Sequence, residues 1–265
     1  MNKATTQLEE TIVVLEWTFT PADYFEDEIR IHRKEYEMVI GGGKVEAKIA
    51  PQVYDGNPAM RDELHNALNA RFLGVQMFSH KPYDLSKPSL SRLHPDGRRD
   101  VTVFVNPVNI KFTVNPVDFI ARDKDGNVIS DTKRERIEKK NQLADLAEKY
   151  RDNDMTAASM LNSYNSAVND PDNELVHLYE IRDALAKKLG GKTTTLRRLG
   201  ISEPTWNRLG SLANTEPLKQ GRHRGSHSDH LRDATEAELN EARSIARLLI
   251  ETYFAYLENE NADPV

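Results

Sequence analysis

The sequence predicts an α+β module over residues 1–130 followed by an all-helical domain over residues 131–265. Three observations carry that prediction. Before about residue 130, short runs rich in β-branched and aromatic residues alternate with glycine and proline turns. From Thr132 the composition shifts to charged residues and strong helix formers. Beyond that point apolar residues recur at helical spacing, and helix-start and helix-stop residues fall where those stripes begin and end.

In the first part, Thr11–Thr20 reads as a strand that ends at Pro21. Glu28–Ile40 and Lys44–Ala50 alternate apolar and polar residues around Gly41-Gly42-Gly43, which predicts a hairpin turned by glycines. A helix is expected to open at Asn57-Pro58, with Met60, Leu64, Leu68 and Phe72 on one face. The segment holding Pro82, Pro88 and Pro95 reads as loop-rich, Val101–Ile120 as strand-like, and Asp125-Gly126 as a turn.

In the second part, Lys133–Asp152 carries only a thin apolar stripe of Ile137, Leu143, Leu146 and Ala147. Met155–Val168 predicts a helix stopped near Asp170-Pro171, because the residue before proline avoids helical dihedrals. Leu175, Leu178, Ile181, Leu185 and Leu189 form the next stripe, closed by Gly190-Gly191. Two shorter helices, Thr193–Leu199 and Glu203–Ala213, flank Gly200-Ile201-Ser202. Thr235-x-x-Glu238 is a capping box opening a last helix with Leu239, Ala242, Ala246, Leu249, Ile250, Tyr253 and Leu257 on one face.

Composition excludes several classes of function. The 265 residues include no cysteine, so disulfide frameworks, thiolate zinc sites and cysteine nucleophiles are ruled out. No apolar run approaches membrane-spanning length and Met1–Glu10 lacks an apolar signal core, so a cytoplasmic protein without membrane association is expected. The net charge of −6 hides an asymmetry. Between Arg182 and Arg224, ten basic residues stand against three acidic ones, whereas from Asp233 onward eight acids face two bases. A basic zone of that kind suits a phosphate-bearing partner, and equally a solvated helix surface.

Within that zone lies Gly221-Arg222-His223-Arg224-Gly225-Ser226-His227. Cleaving RNA without a metal needs a base for the 2′-hydroxyl and a cation for the crowded phosphate. Histidine, with an ordinary pKa of about 6.5, exchanges protons at cellular pH. Arginine stays charged and holds two phosphate oxygens at once. The bland alternative is a loop whose His223, Arg224 and His230 cap neighbouring helices.

The pattern Arg222-His223-x-x-x-His227, placed before a last long helix, resembles the Arg-x4–6-His motif of the HEPN family. The resemblance covers a motif core of about 174–260 and implies a HEPN-like helical bundle. It further implies a metal-independent endoribonuclease of toxin or antiviral-defence type, needing no cofactor, that pairs as a homodimer around an RNA substrate. Arg222 and His227 would be the catalytic pair, with His223 in the assisting position. Arg224, Lys219, Arg208, Arg198 and Arg197 would contact nucleic acid. The N-terminal module would then be a sensor, taking a regulatory partner or trigger. A catalytically silent HEPN scaffold is the non-enzymatic counterpart.

A rival pattern spans residues 196–209. There Leu196, Ile201, Trp206 and Leu209 would be the core of a DNA-binding helix-turn-helix, and Thr205, Asn207 and Arg208 would face a major groove. The same residues suit a helix junction inside a bundle. Gly190-Gly191-Lys192-Thr193 is not a phosphate-binding loop, because Ala186 stands where its first glycine belongs. His32, His80 and His94 lack ligand partners at metal spacing and read as ordinary polar residues, with no metal site expected.

Overall fold

A computed structural model describes residues 10–102, 118, 120–122, 128–222, 224 and 230–262. The chain has an N-terminal antiparallel sheet followed by a helical region. Two compact units emerge, one of Met1–Asn69 with Tyr83–Glu138, the other of Ala70–Pro82 with Lys139–Val265.

The first unit is built on β1 (Ile12–Thr20), whose Val13, Leu15, Trp17 and Phe19 are buried by their alternation onto one face. It pairs antiparallel with β4 (Lys44–Ile49) on one side and with β6 (Ser89–Leu93) on the other. Beyond β4 lie β3 (Tyr36–Gly41) and β2 (Ile29–His32), and beyond β6 lies β7 (Arg99–Thr102). A two-residue strand, β5 (Asp84–Leu85), pairs with the end of β1. The β3–β4 hairpin turns on Gly42 and Gly43, both at positive φ (57° and 80°), the twist a tight two-residue hairpin requires.

Two corrections arise here. The proline-bearing segment read as loop-rich contains β5 and β6, because pairing to β1 imposes the extended state that its sequence signals only weakly. The helix expected at Asn57-Pro58 instead begins at Met60: α1 (Pro51–Gly56) comes first, then a turn in which the Asn57 side chain accepts from the Ala59 amide, then α2 (Met60–Ser79). Met60, Leu64, Leu68 and Phe72 are all buried, and Trp17 Nε1 donates to His65 Nδ1 at 3.2 Å. A small hairpin of β8 (Ile120–Arg122) and β9 (Val128–Asp131) completes this unit; the Asp125-Gly126 turn and most of the expected 101–120 strand lie outside the described residues.

The second unit is helical. Its part of α3 (Thr132–Arg151) buries Leu143, Ala144, Ala147 and Tyr150. Gly74 of α2 lets that helix's backbone meet it: a Cβ at Gly74 would stand 2.5 Å from the Leu143 carbonyl oxygen. Next come α4 (Met155–Asn169), capped by the Asp154 carboxylate on the Ala157 amide, and a 3-10 turn at Pro171–Asn173. The central helix is α5 (Glu174–Leu189), whose stripe of Leu175, Leu178, Ile181, Leu185 and Leu189 is buried throughout. It packs against α4, α6 (Lys192–Leu199), α7 (Glu203–Gly210) and α8 (Glu236–Ala262). Gly190, at φ 82°, ends α5, and Gly200, at φ 64°, ends α6. A π-turn, Ser211–Thr215, follows α7. At the head of α8 the predicted capping box is formed reciprocally, with Thr235 N donating to Glu238 Oε2 and Glu238 N to Thr235 Oγ1. No helix among the described residues is long and apolar enough to cross a membrane.

Candidate functional site

The described residues on either side of the Arg/His stretch are tied together. Lys219 N donates to Arg232 O at 3.0 Å, and Arg232 N donates to Pro217 O at 3.0 Å. Leu218 and Arg232 thus lie side by side, paired in a single parallel bridge. The base of the loop is pinned to the π-turn, since Arg222 N donates to Ala213 O at 2.7 Å. A Cβ at Gly221 would stand 2.9 Å from that same oxygen, which explains the glycine there. His223 and His227 lie outside the described residues. Arg222 and Arg224 can be followed.

Arg222 points at α5. Its guanidinium carbon is 4.6 Å from the ring centre of Tyr179, and Nη1 donates to Asp183 Oδ2 at 3.1 Å. Both members of that ion pair are solvent-exposed, at 38% and 51% of their side-chain surface. Tyr179 holds a second cation. The Arg182 guanidinium lies 4.8 Å from the Tyr179 ring centre and 5.0 Å from that of Trp206, and Nη1 donates to the Trp206 carbonyl at 3.4 Å. Gly210 makes the room, because Arg182 Nη1 would be 2.0 Å from a Cβ at that position. Two guanidinium groups therefore share one aromatic ring, a favourable arrangement for each cation but an unfavourable one between them.

Arg224 turns the other way. Its Nε donates to Gly221 O, and Nη2 donates to Asp172 O at 2.8 Å and to Asn173 Oδ1 at 2.5 Å. Asn173 Nδ2 in turn donates to the Asp170 carboxylate, which also meets His177 Nε2 at 3.0 Å. The Asp170 carboxyl is held below the usual carboxylate range, chiefly by the His177 and Asn173 hydrogen bonds and in part by Arg224. The loop is thus joined to the start of α5 through a relay of polar side chains.

The other expected nucleic-acid contacts divide by their partners. Arg197 and Arg198 are exposed on α6; Arg198 has only a 3.4 Å contact with the Tyr256 hydroxyl, and Arg197 has no partner among the described residues. Lys219 is paired with Asp233 at 2.9 Å. Arg208 lies between Glu216, at 2.5 Å, and Glu241, at 2.9 Å. In the rival reading, α6 and α7 do form a two-helix junction with Ile201, Trp206 and Leu209 buried. The side chains meant for a DNA groove are engaged within the chain: Asn207 accepts from Lys192, Thr205 meets Ser202, and Arg208 holds its two carboxylates.

The histidines set aside as ordinary polar residues have such partners. His32 lies beside Glu37 and His94 beside Asp100. His80 packs edge-on against Tyr164 and lies 3.5 Å from Glu174. Sequence reasoning did not single out Tyr179, Arg182 as its partner, Asp183, or the Asp170–His177 pair. Its only available signal was that Tyr179, Arg182 and Asp183 fall three or four positions apart on one helix.

Comparison with protein-family models, with curated proteins and with solved structures finds no match to this chain.

Proposed function

We propose that this chain is a metal-independent endoribonuclease whose C-terminal half is a HEPN-like bundle. The observation that carries the reading is Arg222: a half-exposed guanidinium over the Tyr179 ring, with an exposed acid as its one ion-pair partner among the described residues, and with its backbone pinned to Ala213. A side chain so placed can exchange its carboxylate for a phosphate at little cost. In the proposed reaction His227 takes the proton of an RNA 2′-hydroxyl, whose oxygen attacks the adjacent phosphorus while the P–O5′ bond breaks. Arg222 offsets the charge on the crowded phosphorane, and His223 assists by giving a proton to the departing O5′. The products are a 2′,3′-cyclic phosphate and a 5′-hydroxyl.

Exposed Arg197 and Arg198 would hold flanking phosphates, while Lys219 and Arg208 would have to give up acidic partners to do so. Arg224 would act mainly by fixing the loop to the start of α5. A homodimer would align two loops at one cleft, the N-terminal sheet unit would receive a trigger or regulatory partner, and the setting would be cytoplasmic toxin or antiviral defence. The test is expression of wild type beside His227→Ala and Arg222→Ala, with total RNA run on denaturing gels. Growth arrest and discrete cyclic-phosphate-ended fragments in wild type alone are expected. Equal fragmentation by all three proteins refutes the assignment.

A further inference from the structure

The Arg182–Tyr179–Arg222 arrangement carries more charge than its surroundings balance. Arg182 is held by two aromatic rings and a carbonyl, and Arg222 by one ring and Asp183. Among the described residues Asp183 is the only carboxylate within ion-pair distance of either guanidinium. Two cations thus share one ring, and only Arg222 has a carboxylate partner among the described residues. The two guanidinium groups are positioned independently of it: Gly210 and Trp206 seat Arg182, and the Ala213 carbonyl fixes the backbone at Arg222. A carboxylate presents two oxygens to a guanidinium much as a phosphodiester does.

We propose that this trio is the phosphate subsite for single-stranded RNA, and that Asp183 occupies it in the free protein as an internal substitute for the phosphodiester. The inference rests on the nuclease reading above and adds to it a docking subsite and a built-in competitor. Displacing Asp183 is easy because its ion pair is exposed on both sides. The displaced carboxylate also has somewhere to go. Lys187 lies one helical turn further along α5, in the favourable acid-before-base order, and is exposed with no ion pair among the described residues. Asp183 and Lys187 both line a groove of about 700 Å³ between α4 and α5, with Ser159, Ser163 and Lys188. Engaged with Arg222, Asp183 closes the subsite; turned to Lys187, it opens it.

The test uses the full chain and a labelled single-stranded oligonucleotide with 2′-O-methyl sugars, which binds but cannot be cleaved by 2′-hydroxyl attack. Affinity is read by fluorescence anisotropy, with inorganic phosphate as a competing probe and circular dichroism as the check on folding. Asp183→Asn should tighten binding by about two- to fivefold, as expected for removing an exposed competing charge. Arg222→Ala and Arg182→Ala should each weaken it by about tenfold or more, the scale of a lost charge-assisted phosphate contact. The gain from Asp183→Asn should vanish in an Arg222→Ala background, because the competitor acts through that arginine. Lys187→Gln should weaken wild type and leave Asp183→Asn unchanged. Unchanged or weaker binding by Asp183→Asn overturns the proposal, as does a Lys187→Gln loss of equal size in both backgrounds. Competition by inorganic phosphate at concentrations as low as those of the oligonucleotide would assign the site to a free anion and also overturn it. The two readings fail separately. If the binding cycle holds and no ordinary RNA is cut, the nuclease reading falls and the subsite stands. If RNA is cut through His227 while Asp183→Asn leaves affinity alone, the reverse is true.

Discussion

The least exposed charged side chain among the described residues of the helical unit makes a strong test of how that unit is held together. Glu174, the first residue of α5, is only 2% exposed, and Arg243 of α8 clasps it with Nε at 2.6 Å and Nη2 at 2.9 Å. His80 Nε2 lies 3.5 Å from the same carboxylate. The two charges are not equally provided for. Arg243 also donates to Glu236 at 2.7 Å and to Asn240 at 3.1 Å, whereas among the described residues Glu174 has only His80 beside it. Truncating the arginine should therefore cost more than neutralising the acid. Removing one partner of a buried pair costs about 3–5 kcal/mol. The helix N-terminus beneath Glu174 favours a negative charge there, so Arg243→Ala is expected near the lower end, about 3 kcal/mol. Glu174→Gln keeps the shape and leaves Arg243 its outer carboxylate, so about 1–2 kcal/mol is expected. Replacing both with methionine should recover most of the loss, because the pair's desolvation cost disappears with it. Urea unfolding at neutral pH, followed by far-ultraviolet circular dichroism and by the fluorescence of buried Trp206, gives all three values. An Arg243→Ala cost below about 1 kcal/mol, or one smaller than that of Glu174→Gln, would refute the reasoning.

Two further predictions concern the same unit. His80 faces Glu174, Arg243 and Tyr164, and burial, with Arg243 adding to it, lowers its pKa to about 4. The imidazole is therefore neutral in the folded chain, while the unfolded chain takes up a proton first as pH falls through about 6.5. Stability should be full above that pH and decline by about 3 kcal/mol between there and about pH 4. His80→Asn, which tolerates the left-handed backbone at φ 49°, should flatten that part of the profile relative to wild type; parallel profiles would contradict the assignment. Gly74→Ala should destabilise by about 1–3 kcal/mol or more, because its Cβ would meet the α3 backbone at 2.5 and 2.6 Å and no side chain can swing aside. A melting temperature equal to wild type would show that the two helix segments can part freely.

Much of this architecture is legible in the chain because local rules suffice for it. The alternation of Val13, Leu15, Trp17 and Phe19, the glycine hairpin at Gly42-Gly43 and the leucine stripe of α5 are all short-range patterns. So are the caps at Gly190, Gly200, Ser202 and Thr235. What escaped depends on partners distant in sequence. Strand β6 lies between Pro88 and Pro95 and shows little alternation, and it is extended because β1 offers it a ladder. Helix α2 shows one continuous apolar face, which does not reveal that Ala70–Pro82 groups with the later helices. Only Gly74, in mid-helix, hinted at a close backbone approach there.

The site shows the same division, and charge makes it concrete. Counted along the chain, Arg182–Arg224 is a strongly basic stretch. In three dimensions, acids from outside the stretch come to meet it: Asp154 takes Lys188, Asp233 takes Lys219 and Glu241 takes Arg208. A sequence-local charge count therefore overstates the basic surface, and it says nothing about which cations remain available. Among the described residues, Lys187, Arg197 and Arg198 are left exposed with no ion pair. Arg197 stands without a partner among the described residues, and Arg182 and Arg222 share Tyr179 with a single exposed carboxylate. Compensation reduces the diffuse attraction a basic stretch would exert, and beside Arg222 it leaves two guanidinium groups with one carboxylate partner among the described residues. A phosphate-bearing strand drawn to this unit would gain most by settling where two guanidinium groups are balanced by one displaceable acid. That is a property of Gly210, Trp206, Tyr179 and Ala213 as much as of the arginines, because those four residues fix the cations in place before any ligand arrives.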